Sequence, residues 1–138
     1  ALAAVGRMVE QVGFLTPWDE SGRRTAQRGV LVRHLVLPGE AANSLRAMET
    51  LHGRFGDALP LSVMSQYRPT PRCRNCGEFA RAVHPDEYEA VCERVEELGF
   101  EHVFIQPDFG DEAFSPDFAA EQPFAGNQEQ GTNRNAVT

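Results

Sequence analysis

One apolar run constrains the fold of this 138-residue chain more than any other feature. Residues 30–37 are valine and leucine, interrupted only by Arg33 and His34 and closed by Pro38-Gly39. A continuous run of this kind is typical of a strand buried on both faces, as in parallel sheets. The run therefore predicts a parallel strand whose arginine and histidine need a separate explanation.

Amphipathic helical patterns separate this strand from two further strands. The spacing predicts helices over 2–14, over the segment from a cap at Asn43 or Ser44 to Phe55, and over 85–98, with strands at 30–37, 59–67 and 100–106. Gly13 and Gly99 are placed to end the first and third helices. Alternation of this type predicts an α/β fold of βα repeats with parallel strands.

Composition narrows the functional classes. The formal net charge is -7 and the pI is near 5.0, which argues against a duplex nucleic-acid binder and against attachment to an anionic membrane surface. The apolar runs are also too short to cross a bilayer. Three cysteines, an odd number without framework spacing, favour a reducing compartment, so we expect a cytoplasmic protein.

Arg33 and His34 point to opposite faces of their strand because side chains alternate along it. Arg33 lies toward the carboxyl end, where α/β folds bind ligands, and a guanidinium can grip a carboxylate or phosphate with two hydrogen bonds. The competing interpretation is a buried arginine paired with a carboxylate from a neighbouring strand. His34 is better explained as a structural histidine than as a ligand.

Four blocks of the chain together resemble a known family. They are "VRHLVLPG", "LSVMSQYRPT", "HPDEYEAVCERVEELGF" and "VFIQPDFGDEAFSPDF". In combination they are similar to the C-terminal half of radical S-adenosylmethionine (SAM) proteins, most closely the group resembling pyruvate formate-lyase activating enzyme. The resemblance covers residues 1–118. Residues 119–138, rich in Gln, Asn and Gly, are expected to form a flexible polar tail.

The resemblance implies a partial (β/α) TIM-like barrel, of which this chain is the C-terminal part. It also implies that Arg33 contacts the methionyl carboxylate of SAM from the barrel lumen. Gln66 and Tyr67 would lie near the same mouth, with Gln106 as a further cofactor-binding candidate. The intact parent would bind SAM and a [4Fe-4S] cluster, act as an oxidoreductase that generates a radical, and activate a glycyl-radical type of protein substrate.

The chain departs from that family at its defining element. The C-x-x-x-C-x-x-C motif, whose thiolates hold the cluster, does not occur in it. The sequence starts at Ala1 in a mid-helix pattern, which is expected of a piece of a longer protein. We therefore expect an inactive fragment that lacks its N-terminal half and self-associates through exposed sheet edges.

The cysteines allow other interpretations. Cys73 and Cys76 form C-R-N-C, and with His84 and Cys92 they are weak candidates for a zinc site. A redox pair, an adventitious disulfide and ordinary loop cysteines remain open as well. The zinc interpretation belongs to a second hypothesis, a non-enzymatic α/β module that binds a protein partner through an acidic face. The acidic residues of the third helix are expected to form that solvated face.

Overall fold

The computed structural model describes residues 1–16 and 28–106, and they form alternating helices and strands as predicted. The elements in chain order are α1 Leu2–Val12, β1 Val32–Leu35, α2 Ala41–Phe55, β2 Leu61–Met64, α3 Pro85–Leu98 and β3 Val103–Gln106. Two short 3₁₀ turns, Pro71–Cys73 and Gly77–Ala80, lie between β2 and α3. The predicted tail at 119–138 and the family-like block at 107–118 lie outside the described residues.

The strands form one parallel sheet in the order β1-β2-β3, so the predicted α/β class is confirmed. Val32 lies opposite Leu61, which lies opposite Val103. The ladder closes at both ends of β1, where Val32 N–H donates to the Pro60 carbonyl at 3.0 Å and Val36 N–H to the Met64 carbonyl at 2.9 Å. The central strand β2 is the most deeply buried, with Leu61, Ser62 and Val63 all buried. The expectation that the run at 30–37 is buried on both faces was wrong, because β1 pairs only with β2 in the described sheet and Arg33 is exposed.

Helices α2 and α3 pack against each other and on the same face of the sheet. The core between sheet and helices consists of Val36, Met48, Leu51, Leu59, Leu61, Val63, Val83, Tyr88, Val91, Val95 and Phe100. Leu2 of α1 packs against the edge of this core. We call this side of the sheet the helix face, and the side that carries Arg33 the opposite face.

Several predicted boundaries were wrong. The helix predicted over 2–14 ends at Val12, and the strands predicted at 30–37 and 59–67 are limited to Val32–Leu35 and Leu61–Met64. Tertiary contacts explain two further differences. Helix α2 begins at Ala41 with Glu40 as its N-cap, not at Asn43 or Ser44, because Ser44 is buried and its hydroxyl contacts β1 instead. Strand β3 begins at Val103 rather than Phe100, since Phe100 is buried in the core. Its ring packs edge-on against His52 with centroids 5.3 Å apart.

The chain on either side of residues 17–27 makes a parallel contact that the sequence did not suggest. Leu15 N–H donates to the Val30 carbonyl at 3.0 Å, and Val30 N–H donates to the Gly13 carbonyl at 2.9 Å. Gly29 makes this approach possible, because it adopts a φ of 133° and a Cβ there would overlap the Leu15 backbone. The contact fixes the end of α1 beside the start of β1.

Candidate functional site

The carboxyl edge of the sheet is where the candidate residues from β1, β2 and β3 meet. Leu35, Met64 and Gln106 occupy matching positions at the ends of the three strands. Parallel sheets present their ligand-binding loops at this edge, so it is the first place to look for chemistry. Two residues earlier in each strand, on the same face, Arg33, Ser62 and Phe104 are in register.

His34 is a structural residue, as the alternation predicted. Its Nε2 lies 2.9 Å from the Ser44 hydroxyl on α2, on the helix face. Burial lowers the pKa of this imidazole, so its neutral form is favoured. A neutral ring that is paired within the fold does not serve as an exposed ligand.

Arg33 lies on the opposite face and is exposed. Its Nη2 donates to the Met64 sulfur at 2.9 Å. Within residues 1–16 and 28–106, Arg33 forms no ion pair, so the interpretation as a partner of a neighbouring-strand carboxylate finds no support there. A thioether is a weak acceptor, and the guanidinium therefore keeps most of its capacity to bind an anion.

The structure brings only part of the predicted site together. Gln106 follows the same face as Arg33 and Met64, and its side chain is exposed. Its backbone is firmly held, because Ser65 Oγ donates to its carbonyl at 3.0 Å and its N–H donates to Tyr88 Oη at 3.0 Å. The backbone of Gln106 is thus fixed at the end of β3, and its amide side chain is exposed.

Gln66 and Tyr67 follow β2 directly, but they differ in their surroundings. Gln66 is exposed. Tyr67 turns toward the loop before α3, where its hydroxyl donates to the Phe79 carbonyl at 2.8 Å and the two rings meet edge-on with centroids 6.3 Å apart. Tyr67 therefore anchors the β2–α3 loop rather than standing beside Arg33. Met64, which does contact Arg33, was missed because methionine at a strand position reads as core.

A second cluster at this edge was also missed. Glu87 was assigned to the solvated acidic face of the third helix, and this is wrong, because it is the centre of a network. One of its carboxylate oxygens accepts the Gly39 N–H at 2.6 Å and Arg81 Nη2 at 2.9 Å. The other accepts the His84 N–H and Arg81 Nη1, each at 2.8 Å. The H-P-D-E pattern before α3 was the available signal, since Glu at the third helical position often caps the helix.

The network has a strong electrostatic consequence. The Arg81 guanidinium, together with the backbone donors of His84 and Gly39, lowers the pKa of Glu87 to about 2. Arg81 also pairs with the Glu78 carboxylate, so it joins the second 3₁₀ turn to α3. Glu87 therefore links the turn after β1, the loop before α3 and α3 itself, and its groups are saturated by internal partners.

The four zinc candidates do not converge. Cys73 and Cys76 lie in the β2–α3 loop, His84 caps α3, and Cys92 is in the middle of α3. Among the residues that the structure describes, no group of three or more His, Cys, Asp or Glu side chains is arranged to hold a metal ion. The zinc interpretation thus lacks a ligand set in this part of the chain.

A groove of about 510 Å³ lies away from this edge, between α3 and β3. Its floor is apolar and includes Val95, Val103 and the exposed Ile105. Its rim carries carboxylates from Glu89, Glu93 and Glu96. The groove is therefore a surface with an apolar centre and a negative border, distinct from the Arg33 region.

Comparisons with known proteins give no match, so the candidate site is described from the geometry of its residues alone. None of the helices in the described parts of the chain combines the length and apolar character that crossing a bilayer requires. No family model, no curated protein and no solved structure matches this chain.

Proposed function

We propose that this chain is the C-terminal part of a radical SAM enzyme, similar to pyruvate formate-lyase activating enzyme, and that Arg33 holds the carboxylate of SAM. The observation that carries the proposal is the exposed Arg33 guanidinium, near the carboxyl end of β1, whose contact among the described residues is the Met64 thioether. The residues that bind the [4Fe-4S] cluster would come from the N-terminal half of the intact protein.

The topology supports a barrel section. Consecutive strands pair in chain order, and α2 and α3 cover the same face. A doubly wound sheet would reverse its strand order and place helices on both faces, whereas a (β/α) barrel repeats the arrangement found here. In such a barrel the opposite face, with Arg33 and Gln106, would line the lumen.

The [4Fe-4S] cluster does not fit the cysteines of this chain. Cys73 and Cys76 lie in the β2–α3 loop at C-x-x-C spacing, and Cys92 is half-buried on α3, so the three thiols do not form a cluster-binding set. The cluster of the proposed parent must therefore be held by another segment. This chain alone would be inactive, and the cysteines play no part in the proposed activity.

The residues present do fit the carboxylate end of SAM. Arg33 would bind and orient that carboxylate through paired N–H donors. Gln106, fixed at the end of β3, would supply a neutral donor and acceptor at the mouth. The N-terminal half of the parent and a glycyl-radical type of protein substrate are the proposed partners, and self-association through the β3 edge is proposed for this piece alone.

The test begins with the parent open reading frame. A C-x-x-x-C-x-x-C motif upstream would support the proposal, and translation starting beside Ala1 would overturn it.

In the reconstituted parent we expect Arg33→Met to raise the KM for SAM at least tenfold, because the loss of one paired charge contact costs about 1.5–3 kcal/mol. Arg7→Met is the matched control, since Arg7 is an exposed arginine that pairs with Glu10 on α1. Equal effects of the two substitutions would exclude the role of Arg33.

The groove between α3 and β3 favours one alternative, a non-enzymatic module that binds a basic amphipathic helix. Its apolar floor would take the apolar side of that helix, and its acidic rim would take lysines or arginines. Ile105→Asp would abolish this binding and leave SAM affinity unchanged, whereas Arg33→Met would do the reverse. Titration of a lysine-rich amphipathic peptide, followed by fluorescence anisotropy, separates the two functions.

A further inference from the structure

The C-R-N-C segment forms a closed turn. Cys76 N–H donates to the Cys73 carbonyl at 3.0 Å, and the residue after Cys73, Arg74, has helical backbone angles. A turn of this kind keeps its first and fourth Cα atoms within about 7 Å. Disulfides span Cα separations of roughly 4.4–6.8 Å, so the backbone already holds the two cysteines at a distance that a disulfide can bridge.

The two thiols have different environments. Thr70 Oγ1 donates to the Cys73 sulfur at 3.3 Å, and Tyr67 and Cys76 also lie within hydrogen-bonding reach of it. The Thr70 hydrogen bond lowers the pKa of Cys73, which favours its thiolate. Cys76 is exposed, and its thiol donates to the Arg72 carbonyl at a long 3.5 Å. The thiolate form is thus favoured at Cys73, and Cys76 is exposed one turn later in the chain.

Cys92 provides an internal comparison. It is half-buried on α3, and burial raises the pKa of its thiol. A hydrogen bond with Tyr88 opposes this rise in pKa, the Glu89 carboxylate adds to it, and burial has the largest effect. Cys73 is therefore close to a second cysteine and has a lowered thiol pKa, whereas Cys92 lies apart from both on α3 and has a raised thiol pKa.

We propose that Cys73 and Cys76 form a thiol–disulfide exchange site for small-molecule disulfides. The Cys73 thiolate attacks one sulfur of the disulfide, a mixed disulfide forms, and one thiolate leaves. Cys76 loses its proton and attacks the Cys73 sulfur, which releases the second thiol and closes the Cys73–Cys76 bond. The two cysteines are oxidised by two electrons and the small disulfide is reduced to two thiols. This site is independent of the SAM proposal.

Oxidation of the Cys73–Cys76 pair would affect the loop that follows β2 at the carboxyl edge of the sheet. Tyr67 follows β2 and anchors the loop at the Phe79 carbonyl, and it also lies against Cys73. Closing the disulfide removes the thiolate that accepts the hydrogen bond of the Thr70 hydroxyl. The oxidation state of the pair is therefore coupled to the conformation of the segment that follows β2.

A redox titration tests the proposal. The full chain is equilibrated in buffers of reduced and oxidised glutathione, trapped with acid, alkylated and mapped by peptide mass spectrometry. We expect a Cys73–Cys76 disulfide that titrates as a two-electron couple in the wild type and in the Cys92→Ser control alike. Cys73→Ser and Cys76→Ser should each stop at a mixed disulfide with glutathione. Absence of the intramolecular bond at every ratio, or bonds from Cys92 at the same frequency, would overturn the proposal.

Alkylation rates give a second test that needs no substitution. With limiting iodoacetamide at pH 7, we expect Cys73 to react at least tenfold faster than Cys92, because thiolate is the reactive form. The ratio should approach one in concentrated urea, where both lose their environments. Equal rates in the folded chain would contradict the activated state of Cys73.

Discussion

The two faces of the sheet give the adjacent residues His34 and Arg33 of β1 different surroundings. On the helix face, His34 is held by the Ser44 hydroxyl and its charged form is disfavoured by burial. On the opposite face, Arg33 is exposed and contacts the Met64 thioether, without an ion pair among the described residues. Within the described residues, one face is thus closed by internal partners while the other presents an exposed guanidinium without a carboxylate partner, which is why the candidate site is assigned to the latter. The four predictions below test this contrast, beginning with the largest effect.

Met48→Ala should cause the largest loss of stability. Met48 is fully buried between α2 and the sheet, and truncation of a buried methionine costs about 2–5 kcal/mol because a cavity is left behind. Met64→Ala, on the half-buried opposite face, should cost less than half as much. Urea unfolding at neutral pH measures both. Equal losses would show that the opposite face is packed as tightly as the helix face.

Tyr88→Phe should cause the second-largest loss of stability. The Tyr88 hydroxyl donates to the Val63 carbonyl at 2.9 Å and accepts the Gln106 N–H at 3.0 Å, so it joins α3 to β2 and β3. Its removal leaves polar groups without their partner and should cost about 1–3 kcal/mol. Tyr67→Phe is the control, since its hydroxyl donates to the Phe79 carbonyl in a partly exposed loop and not to the core. A loss for Tyr67→Phe that matched or exceeded it would contradict the greater burial on the helix face.

Glu87→Gln should produce a pH-dependent loss. The folded-state pKa of Glu87 is lowered from 4.5 to about 2, so its stabilisation is complete above pH 4.5 and disappears as pH falls toward 2. At pH 7 we expect a cost of about 1 kcal/mol, kept modest because Arg81 remains in contact with solvent. The gap between wild type and variant in urea unfolding should close between pH 4.5 and 2.

Glu93→Gln serves as the control for this measurement, because Glu93 lies on the exposed rim of α3. It should follow the wild-type pH profile. A constant gap for Glu87→Gln down to pH 2 would disprove the network as the source of the effect.

The smallest effect is expected at His34. Its folded-state pKa lies below the ordinary value of 6.5, so the unfolded chain takes up a proton first as pH falls. Stability should therefore be complete above pH 6.5 and decline as pH is lowered from there toward the folded-state pKa. His34→Gln should remove this part of the decline between pH 7.5 and 5.5, and His52→Gln should not. Unchanged profiles for both variants would mean that His34 is not desolvated.

Sequence patterns were sufficient for the elements and for the two sides of β1. Period-two alternation separates Arg33 from His34, and glycines at 13 and 99 end α1 and α3 as expected. The helix start at Ala41 was not readable, because Ser44 is a good capping residue that the fold uses elsewhere. Local signals identify a residue that suits a role, but several roles can compete for it.

The candidate site could be predicted only in part from the sequence, for the same reason. Arg33 and Gln106 stand on the opposite face as their strand positions imply. Tyr67 was expected at the mouth, yet it anchors the following loop, and Glu87 was expected in solvent, yet it joins three segments. Both outcomes depend on groups that are distant in sequence, such as the Phe79 carbonyl and the Gly39 N–H.

The sequence by itself determined the α/β class, the alternation of elements and the opposed faces of β1, because these depend on periodicity within short segments. Only the tertiary structure decided which polar groups find partners. It paired Arg33 with Met64, enclosed Glu87 between Arg81 and Gly39, and kept Cys92 apart from the Cys73–Cys76 turn. The physical reason is that hydrogen bonds and desolvation act between residues that only folding brings together.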